Sequence, residues 1–248
     1  MSELTVIFGL HAVRTLLQQR PERAALLILQ KDRKDARVNE LVQLAQARSI
    51  KTEWRDGREL DRLAGDERHQ GACLQIRSVG VLGEGALDDL LDAATTPPFL
   101  LVLDGVQDPH NLGACLRTAD AVGVTAVIVP KDRAAGLSAT VRKVASGAAE
   151  TVPLIQVTNL ARTLRWLKER EIWIVGTDDQ APHTLYEAKL TGPLAVVLGA
   201  EGTGLRRLTR ENCDALVSIP MRGVVESLNV SVATGVLLYE ALRQRGKP

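Results

Sequence analysis

Ile219-Pro220-Met221-Arg222-Gly223-Val224-Val225-Glu226-Ser227-Leu228-Asn229-Val230-Ser231-Val232-Ala233 runs from an apolar strand, through a glycine turn, into the start of a helix. A short hydrophobic strand, a tight loop and a helix N-terminus in that order build ligand pockets in α/β domains. Two earlier segments have the same layout: Asp104-Gly105-Val106-Gln107-Asp108-Pro109-His110-Asn111-Leu112-Gly113-Ala114-Cys115-Leu116-Arg117-Thr118-Ala119 and Leu198-Gly199-Ala200-Glu201-Gly202-Thr203-Gly204-Leu205. Around these loops stand six apolar runs of strand length, at 99–103, 124–129, 154–157, 172–175, 194–198 and 215–219. Helical stripes separate most of them: Leu112, Leu116 and Ala119 form one, and Leu160, Leu164 and Leu167 another, capped by Thr158 or Asn159. Strands buried on both faces and alternating with helices predict a parallel sheet, hence a Rossmann-like α/β domain.

A dinucleotide-binding oxidoreductase is the obvious alternative for such a domain. It would carry G-x-G-x-x-G after the first strand, where glycine lets the backbone approach a pyrophosphate. The first strand instead leads into Asp104-Gly105-Val106-Gln107-Asp108-Pro109, and Gly199, Gly202 and Gly204 follow the fifth strand in the order G-x-x-G-x-G. No G-x-x-x-x-G-K-[ST] phosphate loop occurs either.

Outside this domain the composition is informative. The chain's 248 residues are ample for two modules. Hydrophobic residues make up 45% but aromatic ones only 3%, so aliphatic packing carries the core. A formal charge of +1 excludes a globally basic RNA-coating protein and leaves room for a local basic face. Cys73, Cys115 and Cys213 are odd in number, far apart and without metal-ligand spacing, which predicts reduced thiols and no metal. With no apolar leader and no membrane-length apolar run, the expectation is a soluble cytoplasmic protein.

Charge divides the chain in three. Residues 1–77 hold 14 Lys/Arg against 11 Asp/Glu, residues 78–97 hold four acids and no base, and residues 98–248 hold 17 bases against 15 acids. The acidic middle contains Gly80, Gly83 and Gly85 and ends in Pro97-Pro98, the composition of a flexible linker, with one short helix over Leu87, Leu90 and Leu91. In residues 1–77, Gly9 leads into a helix that buries Val13, Leu16 and Leu17, and Val38, Leu41, Val42 and Ala45 mark a second helix. Strands are expected at 25–29 and 72–76, giving a small α/β domain. Arg14, Arg20, Arg23, Arg33, Lys34 and Arg37 are either solvated charges or RNA contacts, and His69-Gln70-Gly71 is either a turn or part of an RNA face.

Taken in order, the three loops resemble the signature motifs of the SpoU/TrmH branch of the SPOUT RNA methyltransferases. The likeness extends through Phe8-Gly9-Leu10-His11-Ala12-Val13, Val129-Pro130-Lys131-Asp132-Arg133, Lys143-Val144-Ala145-Ser146-Gly147-Ala148-Ala149-Glu150 and Trp173-Ile174-Val175-Gly176-Thr177. It implies a C-terminal SPOUT domain at 98–248 with a deep trefoil knot, joined through the linker at 78–97 to an RNA-binding L30e-like domain at 1–77. It also implies a homodimer that uses S-adenosylmethionine to methylate a guanosine ribose 2′-hydroxyl of 23S rRNA, in the loop contacting P-site tRNA. Free rRNA or a large-subunit assembly intermediate would be the substrate, with neither DNA nor membrane as partner. Two other readings are a tRNA ribose methylase of the same branch and a non-catalytic rRNA-binding protein. The first typically carries only short terminal extensions, and the second would have no need of Asn111, Arg117 and Glu201 together.

The chemistry suits these residues. A sulfonium loses its charge during transfer, so a carboxylate held against the sulfur would favour the ground state and slow the reaction. The segments expected to hold the cofactor are accordingly uncharged: Leu198-Gly199-Ala200, Ile219, Met221, and Ser227-Leu228-Asn229, with backbone groups of Gly199, Ile219 and Leu228 reading adenine and ribose. Met221 is the member most open to a plain packing role. A ribose hydroxyl is a poor nucleophile until its proton has somewhere to go. Asn111 either caps its helix or points into the cleft. Arg117 lies four residues beyond Gly113, which leaves space beside the guanidinium, and the resemblance assigns it to hydroxyl activation. Because a guanidinium does not deprotonate, stabilising developing charge and clamping phosphate is its safer role. Glu201 is expected to orient Arg117 or the substrate, and Ser227 and Asn229 to hold ribose and cofactor. His110 ranks below Arg117 as a catalytic group. Arg222 and Glu226 place charges in the third motif where small or polar residues are common in the family. Val232, Val236, Leu237 and Tyr239 make the last helix too apolar for a solvent-facing side, in keeping with a dimer.

Overall fold

The computed structural model describes residues 4–33, 35–65, 69–77 and 80–246. Lys34, one of the candidate RNA-contacting residues, lies outside them. The chain divides into two compact units, Met1–Gly80 and Val81–Pro248.

The first unit contains β1 (Leu4–Phe8), α1 (Leu10–Gln19), β2 (Ala24–Gln30), α2 (Ala36–Gln46), β3 (Lys51–Arg55), α3 (Gly57–Ala64) and β4 (Ala72–Arg77). The sheet order is β1-β4-β2-β3, antiparallel except for the β2–β3 pair. Leu27 and Leu29 face one side, where Val13, Leu16 and Leu17 of α1 and Val38, Leu41 and Ala45 of α2 bury their expected stripes. Ile28 and Cys73 face the other, under Leu60 of α3. The sequence pattern points to neither β3 nor α3. Lys-Thr-Glu-Trp-Arg is an edge strand with little apolar content, and α3 buries only Leu60 and Ala64 of its eight residues. The residues His69-Gln70-Gly71 do form a turn: the Ala72 amide donates to the His69 carbonyl at 2.9 Å, and the Gly71 amide donates to His69 Nδ1 at 3.0 Å.

The second unit contains α4 (Glu84–Asp92), β5 (Phe99–Asp104), α5 (Pro109–Ala121), β6 (Ala126–Pro130), α6 (Ala139–Ala145), α7 (Ala148–Thr151) and β7 (Leu154–Val157). It continues through α8 (Leu160–Glu169), β8 (Trp173–Thr177), β9 (His183–Thr184), β10 (Leu194–Gly199), α9 (Arg207–Glu211), β11 (Ala215–Ser218) and α10 (Val230–Arg245). All six anticipated strands are present, and the two-residue β9 adds a seventh. Their order is β7-β6-β5-β10-β8-β11-β9, with every pair parallel. Leu101, Leu103, Val127 and Val196 pack toward α5, α6, α7 and α10, while Leu100, Val102, Ile128 and Val197 pack toward α4 and α8. Burial on both faces explains why these strands read as unbroken apolar runs. Asn159 caps α8, accepting from the Arg162 amide at 3.0 Å.

The segment expected to be a flexible linker at 78–97 is largely built into the second unit. Leu82 pairs with Ile155 at the sheet edge, donating to Leu154 and accepting from Gln156. Leu87 and Leu91 of α4 are buried in the core beside α8. Acidic composition suggested solvation, but Glu84 pairs with Arg162, and Asp88 and Asp92 pair with Arg170. Those partners lie some 80 residues away in sequence, beyond the reach of local composition.

Candidate active site

The carboxyl ends of β5, β10, β8 and β11 lie side by side, and a ligand crevice is expected above such strand ends. A cleft of about 370 Å³ opens there. Its walls come from Leu198–Leu205, from Ile219, Met221 and Glu226–Leu228, and from Val230 and Ala233 of α10. Thr177, Asp178, Asp179, Arg210 and Val217 complete it. Seven of the eight residues expected to hold a cofactor line this cleft: Leu198, Gly199, Ala200, Ile219, Met221, Ser227 and Leu228. The volume and the mainly uncharged backbone loops fit a nucleoside-sized ligand such as the one expected. Gly199 is required by the loop itself, because a Cβ there would run into the backbone of Gly204 and Leu205. Ala200 and Gly204 close this loop as an isolated antiparallel bridge.

Asn229, the eighth, lies at the N-cap of α10, where its Oδ1 accepts from the Ser231 amide at 2.9 Å. That leaves its Nδ2 pointing away from the helix. Nδ2 donates to Asn111 Oδ1 at 3.0 Å and to Glu201 Oε1 at 2.6 Å, and Asn111 Nδ2 donates to the same Glu201 oxygen at 3.1 Å. The Val230 amide adds a fourth, longer contact at 3.4 Å. One residue from each of the three loops thus closes a polar triangle at one end of the cleft. Glu201 Oε1 is saturated by these donors, whereas Oε2 makes no hydrogen bond among the described residues.

The geometry decides the question left open for Asn111. Asp108 caps α5 by accepting from the His110 amide at 2.9 Å, so Asn111 is free of that duty and is buried within the triangle at 8% exposure. Arg117 is not brought to Glu201. It is exposed on α5, outside the cleft lining, and makes no ion pair among the described residues. The space expected from Gly113 is also absent. A Cβ there would meet Val144 Cβ at 2.7 Å and the Val141 carbonyl at 2.9 Å, so Gly113 allows α6 to pack against α5 and makes no room for a guanidinium. His110 is exposed and contributes only its backbone amide to the cap.

Sequence reasoning missed several participants. Asp104 is buried at the end of β5, where it accepts from the Arg206 amide at 3.0 Å and from Arg206 Nε at 2.5 Å, tying the second loop to the first. Asp178 and Arg210 add a charged pair to a wall expected to be uncharged. Their signal was the position of Thr177-Asp178-Asp179 just beyond a parallel strand, where ligands bind in such folds. Burial raises all three thiols, Cys73 and Cys115 to about 11 and Cys213 to about 12, and none enters the cleft.

Comparison with known proteins shows the family. Residues 98–239 match the model of the SpoU rRNA Methylase family, and residues 6–80 match that of the RNA 2′-O ribose methyltransferase substrate-binding domain. The chain is 57% identical over 246 residues to the 23S rRNA (guanosine-2′-O-)-methyltransferase RlmB of Pectobacterium atrosepticum, covering 99% of this chain and all of that protein. It is 56% identical over 245 residues to the protein of the same name from Escherichia coli K12, with 99% and 100% covered. In fold it matches the SpoU methyltransferase AviRb of Streptomyces viridochromogenes, solved in complex with AdoMet, at a TM-score of 0.72 and 22% identity, covering 97% of this chain and 90% of that one. The chain belongs to the SpoU rRNA methylase family.

Proposed function

We propose that this SpoU-family chain transfers a methyl group from S-adenosylmethionine to the ribose 2′-hydroxyl of one guanosine in 23S rRNA, in the loop that contacts P-site tRNA. The observation that carries the reading is the Asn111–Glu201–Asn229 triangle beside a glycine-walled cleft. The full-length likeness to two 23S rRNA guanosine-2′-O-methyltransferases supports the substrate.

S-adenosylmethionine, when bound, supplies a methyl carbon on a positively charged sulfur that becomes a neutral thioether after transfer. Leu198–Ala200, Ile219, Met221 and Ser227–Leu228, all uncharged, would hold it. The free Oε2 of Glu201 accepts a hydrogen bond from the ribose hydroxyl and takes its proton as the oxygen–methyl bond forms and the sulfur–methyl bond breaks. Asn111 and Asn229 fix that carboxylate from two sides, which holds the acceptor in place before the substrate arrives. Arg117, exposed and unpaired among the described residues, grips the phosphate next to the target. It does not take the proton, because a guanidinium stays protonated.

The rest of the architecture serves the same reaction. The first unit grips rRNA and raises its local concentration at the cleft. The second folds as a trefoil knot, a reading supported by α10 lying on the face of the sheet opposite α8, and by the placement of β10 between β5 and β8. It assembles as a homodimer through α10, on which Val232 is 52% and Tyr239 is 54% exposed. Leu237 is no part of that surface, since it is fully buried against the sheet, and Val236 is packed beside it. No helix of the described residues is long and apolar enough to cross a membrane, which suits an enzyme working on ribosomal RNA in the cytoplasm.

Ribose methylation mapped in rRNA from cells lacking the protein tests the proposal. One 23S guanosine should lose its 2′-O-methyl group, and regain it when the wild-type chain, but not Arg117→Ala, is restored. An unchanged 23S pattern, or a missing mark in tRNA, would overturn it.

A further inference from the structure

Asp178 is a charged side chain that the proposed reaction leaves unused. It follows the last residue of β8, and its side chain is only 7% exposed although it lines the cleft. Its Oδ1 accepts from the Gln180 amide at 2.8 Å, and its Oδ2 meets the Arg210 guanidinium at 2.5 Å. Arg210 in turn stands at the rim, with its side chain 49% exposed. Each carboxylate oxygen therefore keeps one lone pair free for a ligand. A buried carboxylate is costly to maintain even with one cationic partner and one amide, and such groups cluster where function uses them.

The sheet order gives the position of this pair along the cleft. Of the polar triangle, Asn111 follows β5 and Glu201 follows β10, and Asp178 follows β8, two strands from the first and one from the second. Two strand spacings are about 10 Å. That span matches the length of a nucleoside and removes the carboxylate from the reacting sulfur, where it would hold back transfer. The surroundings of Asp178 sort the two halves of the cofactor. Val217, Ile219 and Leu205 provide apolar walls for a purine. The zwitterionic amino-acid end would lose its hydration in so buried a place.

We infer that Asp178, held by Arg210 and the Gln180 amide, is the acceptor that reads the hydroxyl or amino hydrogens of the adenosine half of the cofactor. The inference rests on the proposed S-adenosylmethionine chemistry and adds a specificity-determining pair to it.

Calorimetric titration of the full-length protein with S-adenosylhomocysteine and with 5′-methylthioadenosine, which lacks the amino-acid end, tests it. In Asp178→Asn both ligands should weaken by the same factor, about tenfold or more, as expected when a hydrogen bond to a charged acceptor is removed. The KM for rRNA should stay within about twofold of wild type, since no RNA contact is touched. Arg210→Lys, at the exposed rim, should show the same pattern with a smaller decrease. Weakening of S-adenosylhomocysteine alone would assign the pair to the amino-acid end and overturn the inference. Unchanged affinity for both ligands in folded Asp178→Asn, verified by its melting temperature, would overturn it as well. If Asp178→Asn does not fold, Arg210→Lys decides alone by the same two ligands. Wild-type protein that binds neither ligand would instead bring down the cofactor reading itself.

Discussion

In the first unit, charged side chains pair on the exposed surface, some with near neighbours in sequence (Arg33 with Asp35, Lys51 and Arg55 with Glu53) and some from farther off (Arg14 with Glu40, Lys31 with Asp56). In the cleft of the second unit, the polar side chains that meet are 28, 90 and 118 residues apart. Pairs of the first kind form on an exposed surface, are screened by solvent and contribute little to stability. Pairs of the second kind exist only after three loops have been brought over adjacent strand ends. Exposed ion pairs therefore tune a surface, while the convergence of polar side chains from three strand-end loops marks chemistry.

The sharpest test of that distinction is Arg117→Ala, which should lower methyl transfer by about a hundredfold or more while S-adenosylmethionine affinity stays near wild type. A tritiated-methyl assay beside calorimetric titration separates the two quantities, and retained turnover would remove Arg117 from the mechanism. Leu228→Arg should act in the opposite sense and abolish cofactor binding first.

A chain beginning at Val81 probes the contrast between the units themselves. It keeps Leu82 on the sheet edge and α4 in the core, so it should fold, dimerise and bind S-adenosylmethionine. At physiological salt it should methylate 23S rRNA about tenfold more slowly or worse, because the first unit's grip on RNA phosphates is the part of binding most sensitive to salt. Full rRNA activity in this shortened chain would show that the first unit is not the grip. Light scattering that found only monomer at assay concentrations would count against the α10 interface. Starting near Pro97 instead would strip Leu87 and Leu91 from the core and lower the melting temperature.

Smaller effects separate the two kinds of pairing. In a double-mutant cycle, Asn111→Ala and Asn229→Ala should couple by about 0.5–3 kcal/mol in activity, because both act through one carboxylate oxygen. Asn229→Ala should also cost about 1 kcal/mol of stability by removing a helix cap. The exposed Arg14–Glu40 pair, 26 residues apart, should couple by less than about 1 kcal/mol in thermal unfolding. Equal couplings at the two places would erase the distinction.

The contrast also accounts for what was legible in the sequence. Strands 99–104 and 194–199 announce themselves because they are apolar on both faces. The edge strand β3 and helix α3 do not, because few of their residues are buried. Asn111, Glu201, Ser227 and Asn229 were readable as members of three motifs, but motifs do not say which side chains touch. Gly113 shows the limit, since its spacing to Arg117 suggested room for a guanidinium whereas its real neighbour is Val144 on another helix. Likewise, the acids at 84–92 read as linker charges because their arginine partners are 78 to 82 residues away.

The most direct test of the central claim is methyl transfer by purified full-length protein from labelled S-adenosylmethionine to 23S rRNA lacking its ribose methylations, with bulk tRNA in parallel. The account predicts one 2′-O-methylguanosine per 23S molecule, in the loop that contacts P-site tRNA, with none in tRNA and none with Arg117→Ala. Efficient methylation of tRNA, a mark on a base instead of a ribose, or full activity in Arg117→Ala would contradict it.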